Sequence, residues 1–183
     1  MQGLIYVELE RFVRTRFGDE TWLVVLDKAG LSHRAYETGQ SYPDAEVVRL
    51  VTTAAAMMHT PVQGLLESYG EFIVPRLLEI YGEHLDRGWR TLEVIAHTER
   101  AIHEVVRRQD READPPRLRT LRLSPDEVTL AYASPRKLCA LARGIGRGIA
   151  AHFGETLHIR ESACMHQGAP ACIISFRVVP TAS

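Results

Sequence analysis

Residues 91–136 read TLEVIAHTERAIHEVVRRQDREADPPRLRTLRLSPDEVTLAYASPR, and the hydrophobic period changes partway along. Over 91–109 apolar residues recur at helical spacing, which predicts one long helix. Pro115-Pro116 breaks it. Beyond 117 the pattern becomes β: 118–123 (LRTLRL) and 127–133 (EVTLAYA) read as strands around a Ser124-Pro125-Asp126 turn.

Upstream the chain reads as helical. Residues 3–16 carry an apolar stripe, and 19–29 begin with Asp19 and Glu20 and stop at Gly30. Tyr42-Pro43-Asp44 opens a helix over about 44–58. Pro61 starts a short helix that Gly70 is expected to end, and the next segment, 71–81, has Pro75 inside it or at a boundary. Downstream, a helix is expected from about 135 to 153, then strands over 155–162 and 172–179. The expected fold is α+β in one domain, 1–183. A helical N-terminal subdomain (about 1–60) joins an α+β subdomain (about 61–183) with a small antiparallel sheet of about four strands.

The 183 residues have a formal net charge of −1, with 25% charged and 45% hydrophobic residues. That is a globular composition, not one that wraps nucleic acid. Arginines 107, 108, 111, 117, 119 and 122 cluster, but Glu104, Asp110, Glu112 and Asp114 interleave with them, as on a solvated helix end and loop. The opening MQGLIYVEL has no cationic signal region, and no apolar run approaches the ~20 residues of a membrane span, so a cytoplasmic location and no membrane partner are expected. Three cysteines, an odd number, argue against a disulfide framework and raise a metal or redox role.

Among eight histidines, His103 has Ile95, Ile102 and Val106 as apolar neighbours on the 91–109 helix. A haem iron needs one neutral imidazole presented into an apolar pocket. His97 lies on the same helix, and spacing alone leaves both as candidates. Tyr132-Ala133-Ser134-Pro135-Arg136 forms a Y-x-S-x-R array whose hydroxyls and guanidinium suit two haem carboxylates. On a strand the three side chains would share a face, although Pro135 makes the facing of Arg136 less secure.

At these residues the sequence resembles the H-NOX family, the haem nitric oxide/oxygen-binding domains. The resemblance runs over essentially the whole chain: Met1-Gln2-Gly3, Ser41-Tyr42-Pro43-Asp44, Val62 to Gly70, His103, Pro115-Pro116, the Y-x-S-x-R array, Cys139, and the Gly144 to Phe153 helix. It implies haem b held between the two subdomains, with His103 as proximal iron ligand and Tyr132, Ser134 and Arg136 on the propionates. Ile5 and Pro116 would press the porphyrin out of planarity. The register of the array places Leu141 where oxygen-binding members carry a distal Tyr, with Leu9, Ile73 and Leu77 as neighbouring distal positions. All four are apolar, which favours nitric oxide over O₂, with CO binding in vitro. Tyr6 and Tyr69 remain as alternative donors.

The resemblance further implies a switch: NO at ferrous iron weakens the bond to His103, the haem relaxes, and the two halves shift. No catalytic motif is present, so a non-enzymatic sensor is expected. Its partner would be a histidine kinase or a cyclic-di-GMP enzyme (diguanylate cyclase or phosphodiesterase). Some members are similar in carrying a Cys₃His zinc site at Cys139, Cys164 and Cys172. Here the histidine position is Glu161, so Glu161, His158 and His166 all stand as fourth-ligand candidates. The competing expectations are an O₂-binding sensor, a thiol/zinc redox sensor with haem secondary, and a peroxidase-like enzyme. The last would want a distal His or Arg that the sequence does not place.

Overall fold

The computed structural model describes residues 1–110 and 113–179; Arg111 and Glu112 of the basic run, and 180–183, lie outside it. Helices α1 (Gly3–Phe17), α2 (Asp19–Lys28), α3 (Asp44–Met57) and α4 (Val62–Tyr81) come first. The expected 91–109 helix follows as α5 (Thr91–Thr98), a π-helical turn (Glu99–His103) and α6 (Glu104–Gln109). Strands β1 (Arg117–Ser124) and β2 (Glu127–Ala133), helix α7 (Cys139–His152), and strands β3 (Thr156–Ala163) and β4 (Cys172–Val179) complete the order.

The four strands form one antiparallel sheet in the order β1-β2-β4-β3. The fold is thus the expected α+β class. Two larger cores divide it. One joins α1, α2 and α3 to the first half of α4 through Phe12, Trp22, Leu50 and Tyr69. The other lies between the sheet and α5 and α7, through Val128, Ile174, Phe176 and Ile149. No helix among the described residues is long and apolar enough to cross a membrane.

Three local expectations are corrected. Gly70 does not end a helix; α4 runs unbroken from 62 to 81, through both Gly70 and Pro75. The reason is tertiary. A Cβ at Gly70 would stand 2.5 Å from the Leu141 carbonyl oxygen, and one at Gly144 would stand 2.1 Å from that of Glu67. These glycines let α4 and α7 pack backbone to backbone. Second, α7 begins at Cys139 rather than near 135, because residues 134–138 form a turn in which Lys137 takes a left-handed φ of 52°. Third, β2 ends at Ala133, so Ser134 and Arg136 do not share a strand face with Tyr132.

Candidate functional site

An apolar cavity of about 210 Å³ opens where the helical core meets the sheet layer. Voids larger than one water are few in close-packed interiors, and an apolar cavity of about 150 Å³ already binds benzene. α1 contributes Leu4 and Ile5, α4 contributes Val74, Leu77 and Leu78, and α7 contributes Leu141, Ala142 and Ile145. Pro115 and Pro116 close another side.

His103 lines this cavity and His97 does not; His97 instead stacks on Trp89 with ring centroids 4.5 Å apart. The His103 ring is 15% exposed, and its Nδ1 lies 3.2 Å from Glu99 Oε2, one helical turn earlier. A carboxylate at Nδ1 holds the proton there and leaves the Nε2 lone pair free for a metal. Sequence reading passed over Glu99. Burial raises its carboxyl pKa. Hydrogen bonds from His103, Arg107 and the Leu118 amide more than offset that and hold it at about 2. The π turn sits between the carboxylate and the imidazole, and such insertions concentrate at functional sites.

Tyr132 and Arg136 also line the cavity; Ser134 is buried beside it. The Arg136 guanidinium is 5% exposed. It donates to Asp44 Oδ2 at 2.8 Å and to the Asp114 carbonyl, while the Arg136 amide donates to Ser134 Oγ at 3.3 Å. Tyr132 OH accepts from the Leu138 amide at 3.2 Å. The turn after β2, not a strand face, brings these groups together. Of the expected distal positions, Leu77 and Leu141 line the cavity. Leu9 and Ile73 are sealed in the helical core at 1% and 0% exposure and do not.

The two tyrosines kept as alternative donors are committed elsewhere. Tyr6 donates to the Pro43 carbonyl at 2.8 Å, and Tyr69 to the Ile5 carbonyl at 2.6 Å; neither lines the cavity. Sequence reading also missed Tyr81, a buried residue of the cavity wall, because a lone Tyr at a helix end gives no pattern. These residues fit haem: a large apolar space, one imidazole with its Nδ1 proton engaged, and a buried guanidinium with hydroxyls at one rim.

The three cysteines gather elsewhere, between α7 and the sheet. Cys164 Sγ lies 3.9 Å from Cys139 Sγ and 3.8 Å from Cys172 Sγ. A Glu161 carboxylate oxygen completes a group whose ligand atoms all lie within 4.8 Å of one another. Burial, then the neighbouring thiol of Cys172 and the charge of Glu161, pushes the Cys139 thiol well above its ordinary value. Neither histidine candidate joins the group. His166 is exposed, with Nε2 2.8 Å from the Lys137 carbonyl oxygen. His158 pairs with Arg177 on β4, in the alternate register from Glu161, and is exposed.

An α+β fold walling an apolar cavity around one carboxylate-held histidine is the architecture of a haem-binding domain. The family model described as "Haem-NO-binding" matches residues 2–161, and the chain belongs to this family, the H-NOX domains. The family binds haem and gases such as NO and CO, and its members are sensors rather than enzymes.

Solved structures agree. An H-NOX protein from Shewanella oneidensis in the Fe(II)NO state is 27% identical, with a TM-score of 0.91 over 98% of this chain and 100% of that one. The H-NOX domain from the same organism in the Fe(II)CO state is also 27% identical, with a TM-score of 0.87 over 99% and 100%. At 20% identity, the unliganded Fe(II) H-NOX protein from K. algicida shares the fold, with a TM-score of 0.88 over 100% and 99%. Among curated proteins, none matches this chain.

Proposed function

We propose that the chain is a non-enzymatic nitric oxide sensor that regulates a separate signalling protein, a histidine kinase or a cyclic-di-GMP enzyme. Bound haem would supply the ferrous iron that takes the gas. His103 would hold it through Nε2, with Glu99 fixing the ring. Tyr132, Ser134 and Arg136 would hold its carboxylates, and Ile5 and Pro116 would pack against it. Gas binding would loosen the hold of His103 on the iron, and the π turn that carries His103 would let the helical part before about residue 60 shift against the part that follows.

The observation that carries the choice of gas is the apolar α4–α7 wall, Leu77 and Leu141, together with the engagement of Tyr6 and Tyr69 by backbone carbonyls. Bound O₂ gains about 1–3 kcal/mol from a donor, and NO needs far less help. Visible spectra of the purified ferrous protein test this. NO should shift the haem bands, and exposure to air should leave no stable O₂ complex; a persistent O₂ spectrum overturns the reading. His103→Ala should emerge without haem unless imidazole is added.

A specific observation supports a second cofactor. Glu161 Oε1 is buried with no hydrogen-bond partner, while Arg143 holds Oε2 at 2.9 Å. With three cysteine sulfurs close by, which a metal would hold as thiolates, that oxygen makes a Cys₃Glu set for a structural zinc. Oxidation of the thiols would then release the metal and give a second, redox input. Metal analysis of thiol-reduced protein should find one zinc per chain, lost in Glu161→Ala; none in the parent overturns it.

A further inference from the structure

Tyr81 is a cavity residue to which the haem reading gives no role. It closes α4, is 6% exposed, and its phenol is pushed above the ordinary value by burial. Four other polar side chains on the wall are engaged. Thr98 donates to the Val94 carbonyl at 2.7 Å, His103 meets Glu99, Tyr132 meets Leu138, and Arg136 meets Asp44. The Tyr81 hydroxyl has no hydrogen-bond partner among the described residues. A hydroxyl on a mostly apolar cavity wall, with no protein acceptor, is free to donate to an acceptor on what the cavity holds.

Its neighbours locate that acceptor. Tyr81 packs with Leu4, Val106, Ala113 and Ile102. Ile102 and Val106 flank His103 along the chain, and Ala113 precedes Asp114, whose carbonyl takes the Arg136 guanidinium. Leu77 and Ile80 pack against the same cluster. Tyr81 therefore stands beside residues that flank His103 and next to the segment that meets the carboxylate clamp. We propose that the Tyr81 hydroxyl donates to a haem carboxylate, a further donor beside Tyr132, Ser134 and Arg136. This rests on the haem reading.

Tyr81→Phe keeps the ring and removes the donor. Three measurements on the full chain test it: haem transfer from the ferric protein to apomyoglobin, thermal melting of the haem-free form, and the C–O stretch of the ferrous CO adduct. Haem transfer should be faster by about tenfold or more, the size of one lost bond to a charged group. The haem-free form should melt at the same temperature or higher, since an unpaired hydroxyl is gone. The C–O stretch should not move. Unchanged transfer overturns the proposal. So does an equal loss of stability with and without haem, which marks a packing role. A shifted C–O stretch with unchanged transfer would assign the donor to the gas instead. If the parent chain takes up no haem at all, it is the haem reading that fails.

Discussion

At the residue scale, gas preference and proximal electrostatics rest on single side chains. Leu141 lines the cavity, and a tyrosine there would place a hydroxyl in an apolar wall. Leu141→Tyr should therefore raise O₂ affinity by about tenfold to a hundredfold and yield a stable oxygenated spectrum in air, read by O₂ titration of the ferrous form. Glu99 sets the acid limit. Its folded-state pKa, about 2, lies below the 4.5 of an ordinary Glu. Stability from the Glu99–His103–Arg107 contacts is then complete above about 4.5 and is lost as pH falls from there towards 2. Melting of the haem-free protein against pH should show this loss, and in Glu99→Gln that part of the dependence should be absent. The Y-x-S-x-R residues were legible because their chemistry is unusual in order and spacing. Glu99 was not, because a glutamate one turn from a histidine is ordinary on any helix.

Helices α4 and α7 are the pair whose contact was least legible. Gly70 and Pro75 read as punctuation, since both weaken helix interiors. Yet Gly70, Gly144 and Gly148 sit where α4 and α7 approach too closely for any side chain: a Cβ at Gly148 would lie 2.6 Å from Val74 Cγ2. Gly144→Ala should thus destabilise the protein by about 1–3 kcal/mol in chemical denaturation, because its Cβ would meet the backbone of Glu67. Gly64→Ala on the same α4 should be neutral or stabilising by about 0.5–1 kcal/mol, because its Cβ meets only a Thr60 methyl at 3.7 Å. The pair separates glycine as contact from glycine as helix breaker. A π turn is equally hidden from a sequence read at a period of 3.6, since one inserted residue in a short helix leaves the apolar stripe nearly intact.

Across the whole molecule, the cavity and the cysteine cluster lie at opposite ends of one short connection. Arg136 lines the cavity, Lys137 holds a left-handed backbone and meets His166 through its carbonyl, and Cys139 enters the thiol group. The sequence by itself determined the α+β class, the order of the strands and of most helices, and the residue types that suit haem. Those rest on hydrophobic period, breakers and side-chain chemistry, all local properties of the chain. Helical spacing left His103 and His97 level and the family resemblance chose His103; the tertiary structure supplies the physical difference, since the His103 ring meets the cavity and His97 stacks on Trp89. Packing also bonded Tyr6 and Tyr69 to distant carbonyls and sealed Leu9 and Ile73 into the helical core. It brought Glu161 to the cysteines while leaving His158 and His166 outside. Each of these outcomes depends on contacts between residues far apart in sequence, which no local pattern encodes.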